Sequence, residues 1–340
     1  MLQNERCPTG AKVRQREPTL AMPEMLELAR RAGFRTPSPR TVQTSVVDIH
    51  THVNRSQVGE LVEAARIYGV QKLLGISPLD EGLRQRERFP NEVLLATTLL
   101  WDHRTDPAQF AAENEALIAR AATHDVRVVK LWFAPRIYER FKGLHLDAPL
   151  LDPIFDAIAA HGRRVLVHIA DPDLWFRTKY TDRATYGTKA EQYYQLETRL
   201  TQYRTIPFLA AHMGGHPEDL AHLGRLLDRY PNLSLDTSAT RWMVRELGRQ
   251  PDAARAFFTR YADRVLFGTD QVVRDESEPE RYTVRYWIHQ MFWETDLACE
   301  LPIDDPDVEG TPQLRGIKLP SSILAQVYWK NAVRWLGLSP

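Results

Sequence analysis

"SVVDIHTHV", residues 45–53, decides how the chain is read. Apolar and β-branched residues lead into Asp48 and then into two histidines spaced by one residue. Along a β-strand, positions i and i+2 point to the same side. His50 and His52 therefore share a face, with their ring nitrogens within reach of one ion. Neutral imidazole is the commonest metal ligand among side chains. A strand that merely carries two histidines is the plainer alternative, and the rest of the sequence has to choose.

Outward from this stretch a rhythm appears. Short apolar runs recur at VQKLLGI (70–76), EVLLATTLL (92–100), VRVVKLWF (126–133), RVLVHIA (164–170), PFLAAHM (207–213), NLSLDTS (232–238) and RVLFGTD (264–270). With residues 45–50 they make eight candidate strands. Helical patterns lie between most of them, among them SQVGELVEAARIYG, DPAQFAAENEALIARAATHD, DPIFDAIAAHG, PEDLAHLGRLLDRYP and AARAFFTRYAD. Asp152 before Pro153, and Pro217 before Glu218 and Asp219, are helix-start chemistry. Continuously apolar strands alternating with amphipathic helices predict a parallel sheet buried on both faces. Eight such units over roughly 230 residues fit an α/β fold of the (β/α)8 TIM-barrel type. A doubly wound open sheet is the competing arrangement.

Residues 1–44 precede the rhythm as an N-terminal extension, with one short helix expected at PEMLELARRAG and closed by Gly33. Residues 45–340 are expected to form one barrel catalytic domain, with an insertion after strand eight at 275–320. The 340 residues carry 44 basic and 44 acidic side chains, a formal net charge of +0. No basic stripe marks a polyanion surface, so nucleic acid is not an expected partner. Two cysteines, Cys7 and Cys299, do not make a disulfide framework. The N-terminus lacks the apolar segment of a signal peptide. No run approaches the ~18 apolar residues of a transmembrane helix. A cytoplasmic enzyme without membrane contact is expected.

Polar residues at the strand ends separate the two folds. Barrel enzymes place their chemistry at the C-terminal ends of the strands. Strand one ends in His50 and His52, strand four near Lys130, strand five at His168, strand six at His212 and strand eight at Asp270. Only a closed barrel sets strand one beside strand eight. Each residue has a plainer reading. A histidine after an apolar run can be a core histidine. Asp270 can cap a following helix, and Lys130 can snorkel from a strand end. Coincidence at the same end of strands one, five, six and eight outweighs those readings taken singly.

In these motifs the chain resembles the amidohydrolase superfamily. Within it, the likeness is to the amidohydrolase-related branch of aminocarboxymuconate semialdehyde decarboxylase-like and dicarboxylate lactonase-like barrels. DIHTH (48–52) is similar to the strand-one HxH motif, VHIADP (167–172) to strand five, AHMGG (211–215) to strand six and LFGTD (266–270) to strand eight. VYWKNAVRWLGL (327–338) is similar to the closing helix. The resemblance covers about residues 45–340. It implies one divalent cation held by His50, His52 and His168, with Asp270 completing the shell. Zn²⁺ is the expected ion for such a nitrogen-rich set, and Mn²⁺ and Fe²⁺ are compatible with it. It further implies Asp270 as the proton shuttle and His212 as the group that polarises the substrate carbonyl or meets the oxyanion. In binuclear members a strand-four lysine is carboxylated and bridges two metals. One metal is the expectation here, with Lys130 as the alternative bridge.

The loops at the same end are basic and aromatic. They carry Trp101 and His103, Trp132 and Arg136, Trp175 and Arg177, Arg241 and Trp242, and Arg274. Arginine forks pair with carboxylates, and aromatic walls stack on planar groups. A small acidic substrate, cyclic or aromatic, is expected, bound by Trp101, His103, Trp132, Arg136, Arg177, Arg241 and Arg274. The stretch 171–206 exceeds a usual βα connection and is expected as a lid. Two reactions fit. One is hydrolysis of an amide, lactam or lactone by a metal-activated water. The other is metal-dependent, non-oxidative decarboxylation of a cyclic or aromatic acid. Hydrolysis leads, because every part needed for water attack is present. A homo-oligomer is compatible with the sequence.

Overall fold

The computed structural model describes residues 22–338. Cys7 and the first part of the extension lie outside the described residues. The eight expected strands form as β1 Val46–His52, β2 Val70–Ser77, β3 Val93–Thr98, β4 Val128–Trp132, β5 Arg164–His168, β6 Phe208–Ala210, β7 Leu233–Asp236 and β8 Val265–Leu266. A short ninth segment, β9 Gln271–Val272, follows at once. All pair in parallel, in the order β8-β7-β6-β5-β4-β3-β2-β1-β9. β8 lies on β7, whereas β9 lies on β1 with Thr51 opposite Gln271. Ile49 N–H donates to the Phe267 carbonyl at 2.9 Å, Asp270 N–H to His50 at 2.8 Å and Val273 N–H to His52 at 3.0 Å. The eighth strand is thus split between two neighbours, and these bonds close the cylinder. The chain is a TIM barrel, and the open sheet is excluded.

The strands are shorter than the apolar runs that announce them. β6 stops at Ala210 because His212 and Met213 adopt left-handed backbone, with φ of 57° and 52°. The core has two layers. Val47, Ile49, Leu74, Val128, Leu166, Leu209 and Leu266 fill the barrel, and Ala332, Trp335 and Leu336 of helix Asn331–Leu336 pack onto them. Arg164 at the start of β5 donates to the Trp335 carbonyl, so this helix stoppers the N-terminal end. The outer layer buries the apolar faces of the surrounding helices against the strands. Each large aliphatic or aromatic side chain fully removed from water contributes about 1.5–3 kcal/mol. Asp106 and Asp219 cap their helices by accepting from the Gln109 and His222 N–H groups at 3.1 and 2.8 Å. Helix Leu79–Arg88 shows little apolar pattern, since it buries only Leu79, Gly82 and Gln85, although Asp80 and Glu81 lie in its first turn and Arg86 and Arg88 in its last.

The insertion is a structural member of the barrel. Helix Pro279–Glu294 buries every side chain from Tyr282 to Glu294 except Arg285. A hairpin follows, β10 Ala298–Glu300 with β11 Gln313–Arg315. The described part of the extension begins with helix Met22–Arg31, closed by Gly33 at φ 56°. It packs onto the inserted helix. Phe34 meets Trp287 edge-on at 5.4 Å, Thr283 Oγ1 donates to the Gly33 carbonyl at 2.9 Å, and Arg40 pairs with Glu294 at 3.2 Å. The stretch expected as a lid divides. Helix Lys189–Gln202, opened by a Thr188–Glu191 capping box, is the ordinary helix between β5 and β6. Only the shorter helices Asp173–Thr178 and Arg183–Tyr186 are extra. Among the described residues no helix is long and apolar enough to cross a membrane.

His289, inside the inserted helix, yields a pH prediction. Its Nδ1 accepts from Trp293 Nε1 at 3.1 Å, and its Nε2 lies 3.0 Å from Thr240 Oγ1. Burial, with the Arg285 charge, pushes the imidazole down to about 3. The unfolded chain takes up this proton near pH 6.5, while the folded chain refuses it until about pH 3. Stability from this group is therefore complete above pH 6.5 and is lost as pH falls, by about 1.4 kcal/mol per unit. His289→Gln should flatten the decline in urea midpoint between pH 7 and pH 5. An undiminished decline assigns it to other groups.

Candidate metal centre

β1 delivers His50 and His52 to the C-terminal mouth of the barrel, their rings 5.5 Å apart. Asp270 Oδ1 lies 3.4 Å from His50 Nε2 and 3.2 Å from His52 Nε2. One ligand atom from each of these three residues lies within 4.8 Å of the others. Asp270 is 29% exposed, which leaves its carboxylate open to the cavity. The residue stands at φ 58°, a left-handed conformation that L-residues rarely adopt. β9 follows it, not a helix, so the helix-cap reading is excluded.

His50 is fixed from behind. Its Nδ1–H donates to Asp236 Oδ2 at 2.9 Å, which turns the Nε2 lone pair toward Asp270. Asp236, at the end of β7, also accepts from the His212 N–H at 2.8 Å, the Ser238 N–H at 3.0 Å and the Ser238 hydroxyl. Asp48 accepts from the Thr269 N–H at 3.0 Å and from Tyr286 OH at 2.9 Å. This ties β1 to the residue before Asp270. Burial pushes the Asp48 carboxyl up to about 7 against those bonds.

The proton count defines His212. The Ser238 hydroxyl has one hydrogen, and it goes to the Asp236 carboxylate. Ser238 Oγ, 2.7 Å from His212 Nδ1, must then accept from that nitrogen. Burial first, then the neighbouring His168, hold His212 well below its usual range. The neutral ring thus keeps a lone pair at Nε2. That ring accepts a hydrogen bond, and it donates to an oxyanion only after it has taken up a proton.

Backbone strain gathers at the same end. His212, Met213, Ala239 and Asp270 all have positive φ, at the ends of β6, β7 and β8. Such residues cost of order 1–3 kcal/mol each and cluster where function holds them. Gly215 is required by space, since a Cβ there would lie 1.9 Å from the Ala170 carbonyl oxygen.

Burial, reinforced by Lys130, pushes His50 down to about 4, so this ring is neutral and competent to bind a cation. Burial alone would raise the Asp270 carboxyl, but the surrounding imidazoles of His212, His52 and His50 hold it well below the usual range. His168 stands apart from the trio. Its Nε2 lies 2.9 Å from Asp171, which Tyr180 OH holds at 2.6 Å. Its ring meets His212 edge-on at 4.5 Å, and its remaining nitrogen is Nδ1. Lys130 is buried with Nζ 3.4 Å from His50 Nε2, and burial pushes its ammonium down to about 8. It donates to the lone pair that a cation would take. A second group, Asp173, His216 and Glu218, is already occupied by Lys189 Nζ, at 2.7 Å from Asp173 and 3.2 Å from Glu218.

A cavity of about 460 Å³ opens above the histidines. Trp132, Trp175 and Trp242 line it, as do Arg136, Arg241, Arg281 and Arg285. Trp132, Arg136 and Arg241 were expected there. Four other expected substrate residues are absent from its lining. Trp101 packs among Phe110, Phe133 and Phe141, and exposed His103 pairs with Glu113 at 2.8 Å. Arg177 faces a separate crevice beside Asp173, and the Arg274 side chain is 51% exposed near Glu278. Sequence reasoning missed Asp48, Asp236, Ser238, Arg281 and Arg285. Asp236 had a signal, its place at a strand end in NLSLDTS.

Paired strand-one histidines, a strand-eight aspartate and a closed eight-stranded cylinder define an amidohydrolase-type barrel. The sequence matches the amidohydrolase family over residues 101–338, and the chain belongs to that family. No curated protein matches it significantly in sequence. Among solved structures, it is similar to an uncharacterized TIM-barrel protein from Bordetella bronchiseptica, at 14% identity and a TM-score of 0.55, covering 86% of this chain and 98% of that one. It is also similar to a putative 2-pyrone-4,6-dicarboxylic acid hydrolase from Pseudomonas putida, at 13% identity and 0.50, covering 87% and 98%. A third is a 5-carboxyvanillate decarboxylase from Novosphingobium aromaticivorans with bound manganese, at 15% and 0.47, covering 82% and 80%.

Proposed function

We propose that the chain is a metal-dependent hydrolase that uses activated water on an amide, lactam or lactone of a small, carboxylate-bearing substrate. One observation carries this reading: the ionised Asp270 carboxylate, open to the cavity, stands within 3.4 Å of both strand-one imidazoles. His50, His52 and Asp270 would hold the ion, with His168 as the further candidate ligand. The set suits Zn²⁺, and Mn²⁺ or Fe²⁺ also fit it. When bound, such a cation lowers the pKa of water toward neutrality and polarises a carbonyl. Asp270 accepts the proton of the attacking water and returns it to the leaving group. His212 orients that water through its Nε2 lone pair.

A panel of amides, lactams and lactones bearing carboxylates, run beside aromatic acids, tests the reaction. Amine release or ring opening is expected. Carbon dioxide release without hydrolysis overturns the hydrolytic reading.

Lys130 tests the metal count. Lys130→Met removes the ammonium that competes for His50 Nε2. The variant should retain about one equivalent of metal and bind it at least as tightly. A carbamate mass on Lys130 in the unaltered protein, together with two ions, would replace this account with a binuclear one.

A further inference from the structure

Charge at the cavity is unbalanced on one side. Arg241 enters from the turn after β7, and Arg281 and Arg285 enter from helix Pro279–Glu294. Positions 281 and 285 are one turn apart, so the two guanidinium groups rise on the same face. Arg281 meets Glu278 at 3.8 Å, and that carboxylate is 43% exposed. Arg241 and Arg285 form no ion pair among the described residues, and Arg241 Nε is buried without a partner. Arg285 uses one N–H on the Arg281 carbonyl at 2.8 Å. Burial, then the like charges of Arg281, Arg241 and Arg274, push its guanidinium down to about 10, with Asp270 opposing. Two other cations at the cavity have carboxylate partners: Lys179 has Asp307 at 2.7 Å, and Arg136 has Glu139 at 3.8 Å.

Like charges four residues apart destabilise a helix. A desolvated cation without a partner costs more still. Arg285 is also the break in an otherwise buried run from Tyr282 to Glu294, so the packing does not call for arginine there. A ligand that brings the opposite charge removes both penalties.

We propose that Arg241, Arg281 and Arg285 form an anion subsite that holds a carboxylate of a planar substrate and sets selectivity for acids. This rests on the cavity being the substrate site and adds to it Arg281 and Arg285, which lie on the inserted helix. Trp132, Trp175 and Trp242 line the same cavity, which favours a ring beside the carboxylate.

The probe is isophthalate, titrated by tryptophan fluorescence into the protein as purified. Isophthalamide, of the same shape without charge, and inorganic phosphate are the comparisons. Isophthalate should bind at least about ten-fold more tightly than isophthalamide. Arg281→Met and Arg285→Met should each weaken isophthalate by roughly 10- to 100-fold and leave isophthalamide within about two-fold. Arg285→Lys keeps the charge and loses the fork, so an intermediate loss is expected. It also serves if the methionine variant fails to fold. No binding of isophthalate, equal binding of the two ring compounds, or unchanged affinity in the variants overturns the proposal. Phosphate binding as tightly as isophthalate, and lost in the same variants, overturns it in favour of a free-anion site. Binding is read without turnover, so carbon dioxide release in the reaction panel leaves this subsite standing.

Discussion

Asp270→Asn should lower the turnover number by roughly 10²–10⁴-fold while metal content stays near that of the unaltered protein. Asparagine keeps the size of the side chain and one oxygen beside His50 and His52. It removes the base. The anion-binding residues lie on other elements, so substrate binding should move far less than turnover. The left-handed backbone at φ 58° is no obstacle, because asparagine tolerates that region about as well as aspartate. A large fall is thus not a folding artefact. Near-native turnover in steady-state assays, with metal measured on the same samples, would remove Asp270 from the chemistry.

The second large effect is expected at His50. The protein as purified should carry about one equivalent of a transition metal, and His50→Ala should abolish its retention. His50 is also the partner of Asp236 at 2.9 Å and the acceptor for Lys130 at 3.4 Å. Its loss leaves a buried carboxylate short of one donor, although the His212 and Ser238 N–H groups still serve it. The cost to stability should be about 1.5–3 kcal/mol. Elemental analysis and urea denaturation of the metal-stripped protein separate the two effects. Full metal occupancy in His50→Ala would sink the ligand assignment.

Much of the site is legible because it sits where backbone rules put it. The spacing of His50 and His52 on a strand fixes their common face, and the β/α alternation fixes which strands converge. His168 was placed correctly at a strand end, but nothing local announces that Asp171, three residues later, takes its Nε2. Asp236 supports two histidines from a strand that carries no histidine, so no neighbour drew attention to it. Arg281 and Arg285 were invisible for another reason. They lie in a helix whose buried side chains surround the axis almost completely, so it shows no amphipathic period. Trp101 and His103 erred the other way. Residue type suggested a binding role, but Trp101 is taken up by an aromatic cluster and His103 by a surface glutamate.

The bonds that close the cylinder join residues 49–52 to residues 267–273. Every other strand pairing in the barrel joins sequence neighbours. Local pairings form at low entropic cost, whereas a contact spanning most of the chain must wait until those pairings have shortened the effective loop. The order of assembly follows. Eight strands, in seven local pairings, can pair while His50 and His52 still lack their carboxylate, and Asp270 arrives with the last register to be set. A cation gripping both His52 and Asp270 would straddle that last register. Interactions absent from the transition state act on unfolding more than on folding. Stripping the ion would then hasten the opening of the barrel and leave its rate of formation nearly unchanged.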